Sequence, residues 1–180
     1  MKKLVIIING TGASGKDTFV NHIKDEIHDV MNVSSVDQIY KVVDALDWDG
    51  KKDDKFRTLM HSIKVASIYY NDGPTKYLVS KLEEFLSVTN TDKIMFVHIR
   101  EPREIWKFQE HAKRMIDENT TLKSMLIEMP GNKNGWTNTS DIGVKNWRYD
   151  YTFINKPSKD KGKAHALSFF DKNLRQYIED

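Results

Sequence analysis

Residues 4–18 read Leu4-Val5-Ile6-Ile7-Ile8-Asn9-Gly10-Thr11-Gly12-Ala13-Ser14-Gly15-Lys16-Asp17-Thr18. A short β-branched run ending in Asn-Gly predicts a strand buried on both faces. The glycine-rich stretch behind it predicts a loop. From Lys16 the pattern turns helical, with Phe19, Val20, Ile23, Ile27 and Val30 at spacings of three and four. Gly10 to Thr18 fits G-x-x-x-x-G-K, with Asp where Ser or Thr usually follows the lysine. Glycines let such a loop curl until several N–H groups face one phosphate. The following helix turns its positive end to the same anion. Lys16 is long enough to reach β- and γ-phosphates. The motif follows a buried strand and opens a helix, so a nucleotide site outweighs a glycine-rich turn without ligand. Gly10, Gly12, Ala13, Ser14, Gly15, Lys16, Asp17 and Thr18 are its candidate residues.

Asp17 is the informative departure. A carboxylate beside phosphate oxygens is repelled unless a cation lies between them. Asp17 is therefore a candidate Mg²⁺ ligand, directly or through water. The alternative is that Asp17 complements the helix N-terminus while Thr18 meets the metal.

Working outward, Asn32 to Val36 predicts a second strand. Asp37 starts a helix toward Leu46, broken by Asp47-Trp48-Asp49-Gly50. Asp53 to Tyr70 predicts a helix with Phe56, Leu59, Met60, Ile63 and Ala66 on its apolar face. Asn71-Asp72-Gly73-Pro74 is a turn, and a helix through Leu78, Leu82 and Phe85 follows. Lys93 to Ile99 is the next clear strand. Pro102 opens a helix expected to reach Glu118. Leu122 to Met129 and Tyr151 to Asn155 predict two more strands, separated by a long loop at 130–148. A charged turn from Lys156 to Gly162 leads to a last helix through Ala164, Leu167, Phe170, Leu174, Tyr177 and Ile178. Strands alternating with helices predict an α/β fold of three layers, with a parallel sheet of about five strands between helices.

At 180 residues the chain is expected to form a single domain. Apolar residues make up 39% and charged residues 30%, which excludes a disordered chain. No apolar run approaches the roughly 20 residues that span a bilayer, so no membrane partner is expected. The absence of cysteine excludes disulfides, thiolate metal sites and thiol catalysis. It agrees with a cytoplasmic location. The balance of 28 basic against 26 acidic residues gives no charge signal for nucleic acid.

Gly15-Lys16-Asp17-Thr18 after a strand resembles the phosphate loop of the phage-type deoxynucleoside monophosphate kinases. Animal-type phosphomevalonate kinases share the Gly-Lys-Asp element. Trp48-Asp49-Gly50-Lys51-Lys52 followed by Arg57-Thr58-Leu59 is similar to the first family's segment around the acceptor phosphate. His98-Ile99-Arg100-Glu101-Pro102-Arg103-Glu104 resembles its Asp-Val-Arg-Phe-Pro-Asn-Glu, with His98 in place of Asp and Arg103 in place of Asn. Asn138-Thr139-Ser140-Asp141 and Asp150-Tyr151-Thr152-Phe153-Ile154-Asn155 are similar to two further family stretches. The order and rough spacing agree over most of the chain. The resemblance implies a P-loop NTPase fold and transfer of phosphate from ATP, with Mg²⁺, to a (deoxy)nucleoside monophosphate. Another small-molecule kinase, or a nucleotide-binding protein without turnover, remains as an alternative. The partner expected is a nucleotide or other small phosphorylated substrate, and a homodimer is compatible with the chain.

Residues beyond the loop fill out this expectation. Arg100 directly follows a strand, at the end where ligands collect in open parallel sheets, and is a candidate catalytic phosphate ligand beside Lys16 and Asp17. Its alternative is an ion pair with Glu104. Lys51, Lys52 and Arg57 form a candidate acceptor-phosphate clamp, or a solvated helix face. Asp37 either orients the acceptor or caps a helix. His98 either meets a phosphate or sits in the core with its ring satisfied by backbone. Lys133, Lys145 and Arg148 place a candidate ATP lid at 130–148, with Arg148 its nucleotide contact. Trp136, Trp147 and Tyr149 are base-stacking candidates or loop anchors.

Overall fold

The structure, a computed structural model, describes residues 1–132, 143–156 and 162–179. The apolar run becomes strand β1 (Lys3–Asn9), buried along its whole length. Helix α1 (Lys16–Glu26) follows, then β2 (Val30–Ser34), α2 (Asp37–Asp44), α3 (Asp54–Asn71) and α4 (Gly73–Leu86). Strand β3 (Ile94–His98), α5 (Pro102–Met115), β4 (Thr120–Glu128), β5 (Tyr151–Ile154) and α6 (Gly162–Asn173) complete the order. The sheet runs β2-β3-β1-β4-β5 and every pairing is parallel. Leu4 is opposite Ile94 on one side and Thr121 on the other.

Parallel strands need crossovers, and the crossover helices cover both faces. Leu4, Ile6 and Ile8 pack with Phe19, Val20 and Ile23 of α1 and Ala166 and Phe170 of α6. Val5 and Ile7 point the other way, onto Leu78, Leu82 and Phe85 of α4 and Ile105, Phe108 and Ala112 of α5. Each such side chain contributes about 1.5–3 kcal/mol by leaving water. A smaller cluster, Ile39, Val43 and Phe56, joins α2 to α3 away from the main core. The chain leaves β1 toward β2 and β3, then crosses back to β4. That reversal opens a crevice at the carboxyl ends of β1 and β3. No helix among the described residues is long and apolar enough to cross a membrane.

Some boundaries move. Ile27 is extended and α1 ends at Glu26, so Val30, expected on the helix, instead opens β2 opposite Ile94. The apolar spacing ran on through a turn because Ile27 still packs against the core. Helix α5 stops at Met115, where Ile116 becomes extended. On α3 the expected face is only partly right. Phe56 is buried but Leu59 and Ala66 are exposed, and Lys64 lies inward instead.

Candidate active site

The loop between β1 and α1 is held from both ends. Asn9 is buried; its Oδ1 accepts the Gly10 N–H at 2.7 Å. Its Nδ2 donates to the Arg100 carbonyl at 2.8 Å and to the Tyr149 hydroxyl at 2.7 Å. One amide thus ties the loop's start to the turn after β3. At the other end Asn155 donates to the Ser14 carbonyl at 3.0 Å, and Asn132 donates to the Gly12 carbonyl at 2.7 Å.

Two glycines are required here. A Cβ on Gly10 would run into the Ile127 carbonyl oxygen and the Ser14 hydroxyl. Gly15 has φ 89°, in the left-handed region, and a Cβ there would overlap the Asn155 amide. Gly15, at the N-cap of α1, offers no side chain to cap the helix, whose first turn faces the loop. The Ser14 hydroxyl is buried without a hydrogen-bond partner among the described residues. The Lys16 ammonium donates to the Gly10 and Thr11 carbonyls at 2.7 and 2.9 Å, at the loop's mouth. Shape, helix N-terminus, buried Ser14 hydroxyl and cation together fit a phosphate chain.

A cavity of about 650 Å³ opens on one side of the loop, between its residues Gly12, Lys16 and Asp17 and a wall from α2, α3 and the turn after β3. Asp37, Lys52, Arg57 and Arg100 all line it. The structure thus brings the expected acceptor residues to one space. A second cavity, of about 730 Å³, lies on the other side, lined by Ser14 to Phe19 with His22, Phe153, Asn155 and Lys163. Ala13, Lys16 and Asp17 border both. Thr18 is exposed and lines only the second.

The individual side chains differ in how they are held. Asp17 is 90% exposed, with Oδ1 3.9 Å from His98 Nδ1. The described residues hold no group of three His, Asp or Glu placed for a metal. A Mg²⁺ at Asp17 would therefore draw most of its oxygens from phosphates and water, which suits that ion. Asp37 is the first residue of α2 rather than its cap. Its Oδ2 accepts the Ser34 N–H at 2.8 Å and the Tyr77 hydroxyl at 3.3 Å. Burial, with Asp37 nearby, pushes the Tyr77 phenol up to about 12. Arg57 pairs with Asp54 at 3.1 Å in solvent, and the Lys52 ammonium lies 5.6 Å from the Tyr40 ring centre.

Other expectations are corrected. The His98 ring is satisfied by a side chain and not by backbone: Nε2 lies 2.9 Å from Asn32 Oδ1. Burial, helped by Lys16, lowers the imidazole to about 4 against the opposing pull of Asp17 and Asp37, so the ring is neutral at pH 7. Glu104 pairs with Lys64, at 2.9 Å. Arg148 is exposed and lines neither of the two cavities. Trp147 and Tyr149 pack against the core, and the Tyr149 hydroxyl donates to the Val144 carbonyl at 2.7 Å; they are anchors. Lys145 pairs with Glu128 at 3.0 Å. Lys133, Trp136 and the 138–141 stretch lie outside the described residues.

Sequence reading made no assignment to Asn9, Asn32 or Lys64, and it flagged Asn155 only as the end of a family-like stretch, with no role for its amide. A polar residue closing an otherwise apolar strand could have flagged Asn9. The partners of the others are far away in the chain and leave no local signal.

No protein-family model matches the chain, and no curated protein is similar to it in sequence. Solved structures are. A protein assigned as a kinase, from Chloroflexus aurantiacus, superposes with TM-score 0.56 at 12% identity, over 98% of this chain and 99% of that one. A fungal RNA kinase gives TM-score 0.52 at 11% identity, over 99% and 89%. Dephospho-CoA kinase from Campylobacter jejuni gives 0.50 at 14%, over 96% and 98%. At such identities the likeness establishes the fold. It is the fold of the P-loop kinases.

Proposed function

We propose that the chain transfers the γ-phosphoryl group of ATP to a (deoxy)nucleoside monophosphate. The observation that carries this reading is the pair of cavities meeting at the loop. Both share Lys16 and Asp17, and one is lined by Lys52, Arg57 and Arg100. A donor nucleotide fits the second cavity with its phosphates over Gly12 to Thr18, and an anionic acceptor fits the first. The fold of the neighbours supports phosphoryl transfer as the reaction class. The monophosphate acceptor rests on the resemblance and on the basic lining.

Bound with ATP at Asp17 or Thr18, Mg²⁺ would offset charge on the β- and γ-phosphates. The rest is positioning by the chain's own residues. Lys16 exchanges its loop carbonyls for phosphate oxygens. Arg57 and Arg100 hold the acceptor phosphate so that one of its oxygens faces the γ-phosphorus. That oxygen bonds to phosphorus as the bond to the β–γ bridging oxygen breaks, giving a nucleoside diphosphate and ADP. A phosphate oxygen is already ionised near pH 7 and needs no base.

A panel of ribo- and deoxyribonucleoside monophosphates with Mg²⁺-ATP, followed for diphosphate formation, tests the reading. At least one should be converted, and Lys16→Ala should lose most of its ATP affinity and turnover. Conversion of none, with ATP bound, would defeat the acceptor assignment. A second reading, a small-molecule kinase for a hydroxyl acceptor, is favoured by His98. Its neutral ring is held by Asn32 at the cavity wall, with Nδ1 toward Asp17, where it suits an alcohol proton. Adding phosphorylated alcohols to the panel separates the two.

A further inference from the structure

His98 is the last residue of β3 and lies beside Ile8 of β1. Side chains alternate along a strand, so His98 shares the face of Phe96, which packs with Phe19, Val20 and Ile23 of α1. That brings its ring to Asp17, the second residue of α1, and both line the first cavity. The imidazole is fixed there. Its side chain is 12% exposed, and Nε2 lies 2.9 Å from Asn32 Oδ1. An amide oxygen only accepts, so Nε2 carries the ring proton and Nδ1 keeps its lone pair. Nδ1 is the atom turned to Asp17, 3.9 Å from Oδ1. Two electron-pair donors therefore face each other where the loop becomes α1.

We propose that Asp17 and His98 Nδ1 together hold the divalent ion that accompanies the nucleotide phosphates, and that the nitrogen donor makes this ion a first-row transition metal in preference to Mg²⁺. The inference rests on the reading of the loop as a nucleotide site. Two ligands each about 2.1 Å from one ion lie at most about 4.2 Å apart, so the pair is close enough to share an ion. In P-loop NTPases the metal commonly sits between the hydroxyl that follows the loop lysine and a carboxylate on a strand. This chain carries the carboxylate on the loop side and an imidazole at the end of the strand. Mg²⁺ prefers oxygen, whereas imidazole suits transition ions. A ligating imidazole donates its other N–H to a fixed oxygen, and Asn32 supplies that oxygen in advance. Among the described residues no third His, Asp or Glu completes a metal site with them. Phosphate oxygens and water must fill the remaining positions, so ion and nucleotide bind together.

The probe is Co²⁺ with the imido analogue of ATP, which resists hydrolysis. Proton NMR of that complex should show one strongly shifted, exchangeable signal: the Nε2–H of an imidazole bound to the ion through Nδ1. It should vanish in D2O and be absent from His98→Ala. It should persist in His61→Gln, which alters another histidine lining that cavity. Calorimetry supplies a second readout, corrected for metal binding by the free nucleotide. The wild type should bind the analogue at least about tenfold more tightly with Co²⁺ than with Mg²⁺. His98→Asp, which puts an oxygen donor at the strand end, should bring that ratio to within about threefold. A nucleotide complex without the signal, a signal that survives in His98→Ala, or a ratio unchanged in His98→Asp would overturn the proposal. Should His98→Ala fail to fold, His98→Gln takes its place, since its amide can still donate to Asn32. If calorimetry finds no nucleotide bound with either ion, the nucleotide reading itself fails, and this proposal with it.

Discussion

Gly15 adopts a left-handed backbone with the Asn155 amide filling the space a side chain would take. Gly15→Ala should therefore cost about 1–2 kcal/mol from the backbone alone. It should also weaken ATP binding by displacing Asn155 from the Ser14 carbonyl. Chemical denaturation and ATP calorimetry on one preparation would check both. Asp17→Asn isolates the other unusual residue. Asp17 is exposed and makes no structural hydrogen bond among the described residues, so Tm should hardly move while the Mg²⁺ concentration for half-maximal rate rises several-fold. An unchanged Mg²⁺ titration would transfer the metal to Thr18. The shape of the loop was legible because strand, loop and helix are contiguous, and the chemistry proposed for it rests on their spacing. The surroundings of His98 were not legible. Its ring is satisfied by Asn32, and only strand pairing brings Ser34 beside His98 and Asn32 near it.

At the scale of elements, α3 shows where reading by periodicity stops. Phe56, Met60 and Ile63 were expected inward and do pack on the small cluster. Leu59 and Ala66 were also expected there, yet both are exposed, so part of the stripe faces water. Lys64 reads as a solvated lysine until α5 places two carboxylates against it. Burial raises Glu104 to about 7, the Lys64 ammonium only partly opposing it; the same ammonium outweighs burial at Glu101 and holds that carboxyl below its ordinary range. The sign for Glu104 is that of a group binding its proton more tightly when folded. The stability it lends is complete below about pH 4.5 and is lost as pH rises through about 7. His98 works the other way, its contribution present above about pH 6.5 and lost toward 4. The difference in Tm between Glu104→Gln and wild type cancels the His98 part. It should rise in favour of the variant between pH 4.5 and 7 and then level off. A flat difference would mean that Glu104 stays charged throughout.

For the molecule as a whole, β1 is both the centre of the sheet and the support of the loop. Ile6 is fully buried, so Ile6→Ala should cost about 2–5 kcal/mol in chemical denaturation. The layered architecture was readable because each strand is short, apolar and followed by a helix; the order of the strands was not, since pairing partners are chosen by tertiary packing. That order has a consequence for synthesis. Leu4 finds its neighbours only in Ile94 and Thr121, and the loop receives its final clamp only from Asn155. A ribosome has therefore made every residue from β1 through β3 before the first strand has anything to pair with. Until then, the strongly apolar segment of β1 emerges unprotected, and its shelter during translation must come from a chaperone or from loose collapse. The loop between β1 and α1 is accordingly fixed late in the life of the nascent chain, although its own residues are made before the elements that clamp it.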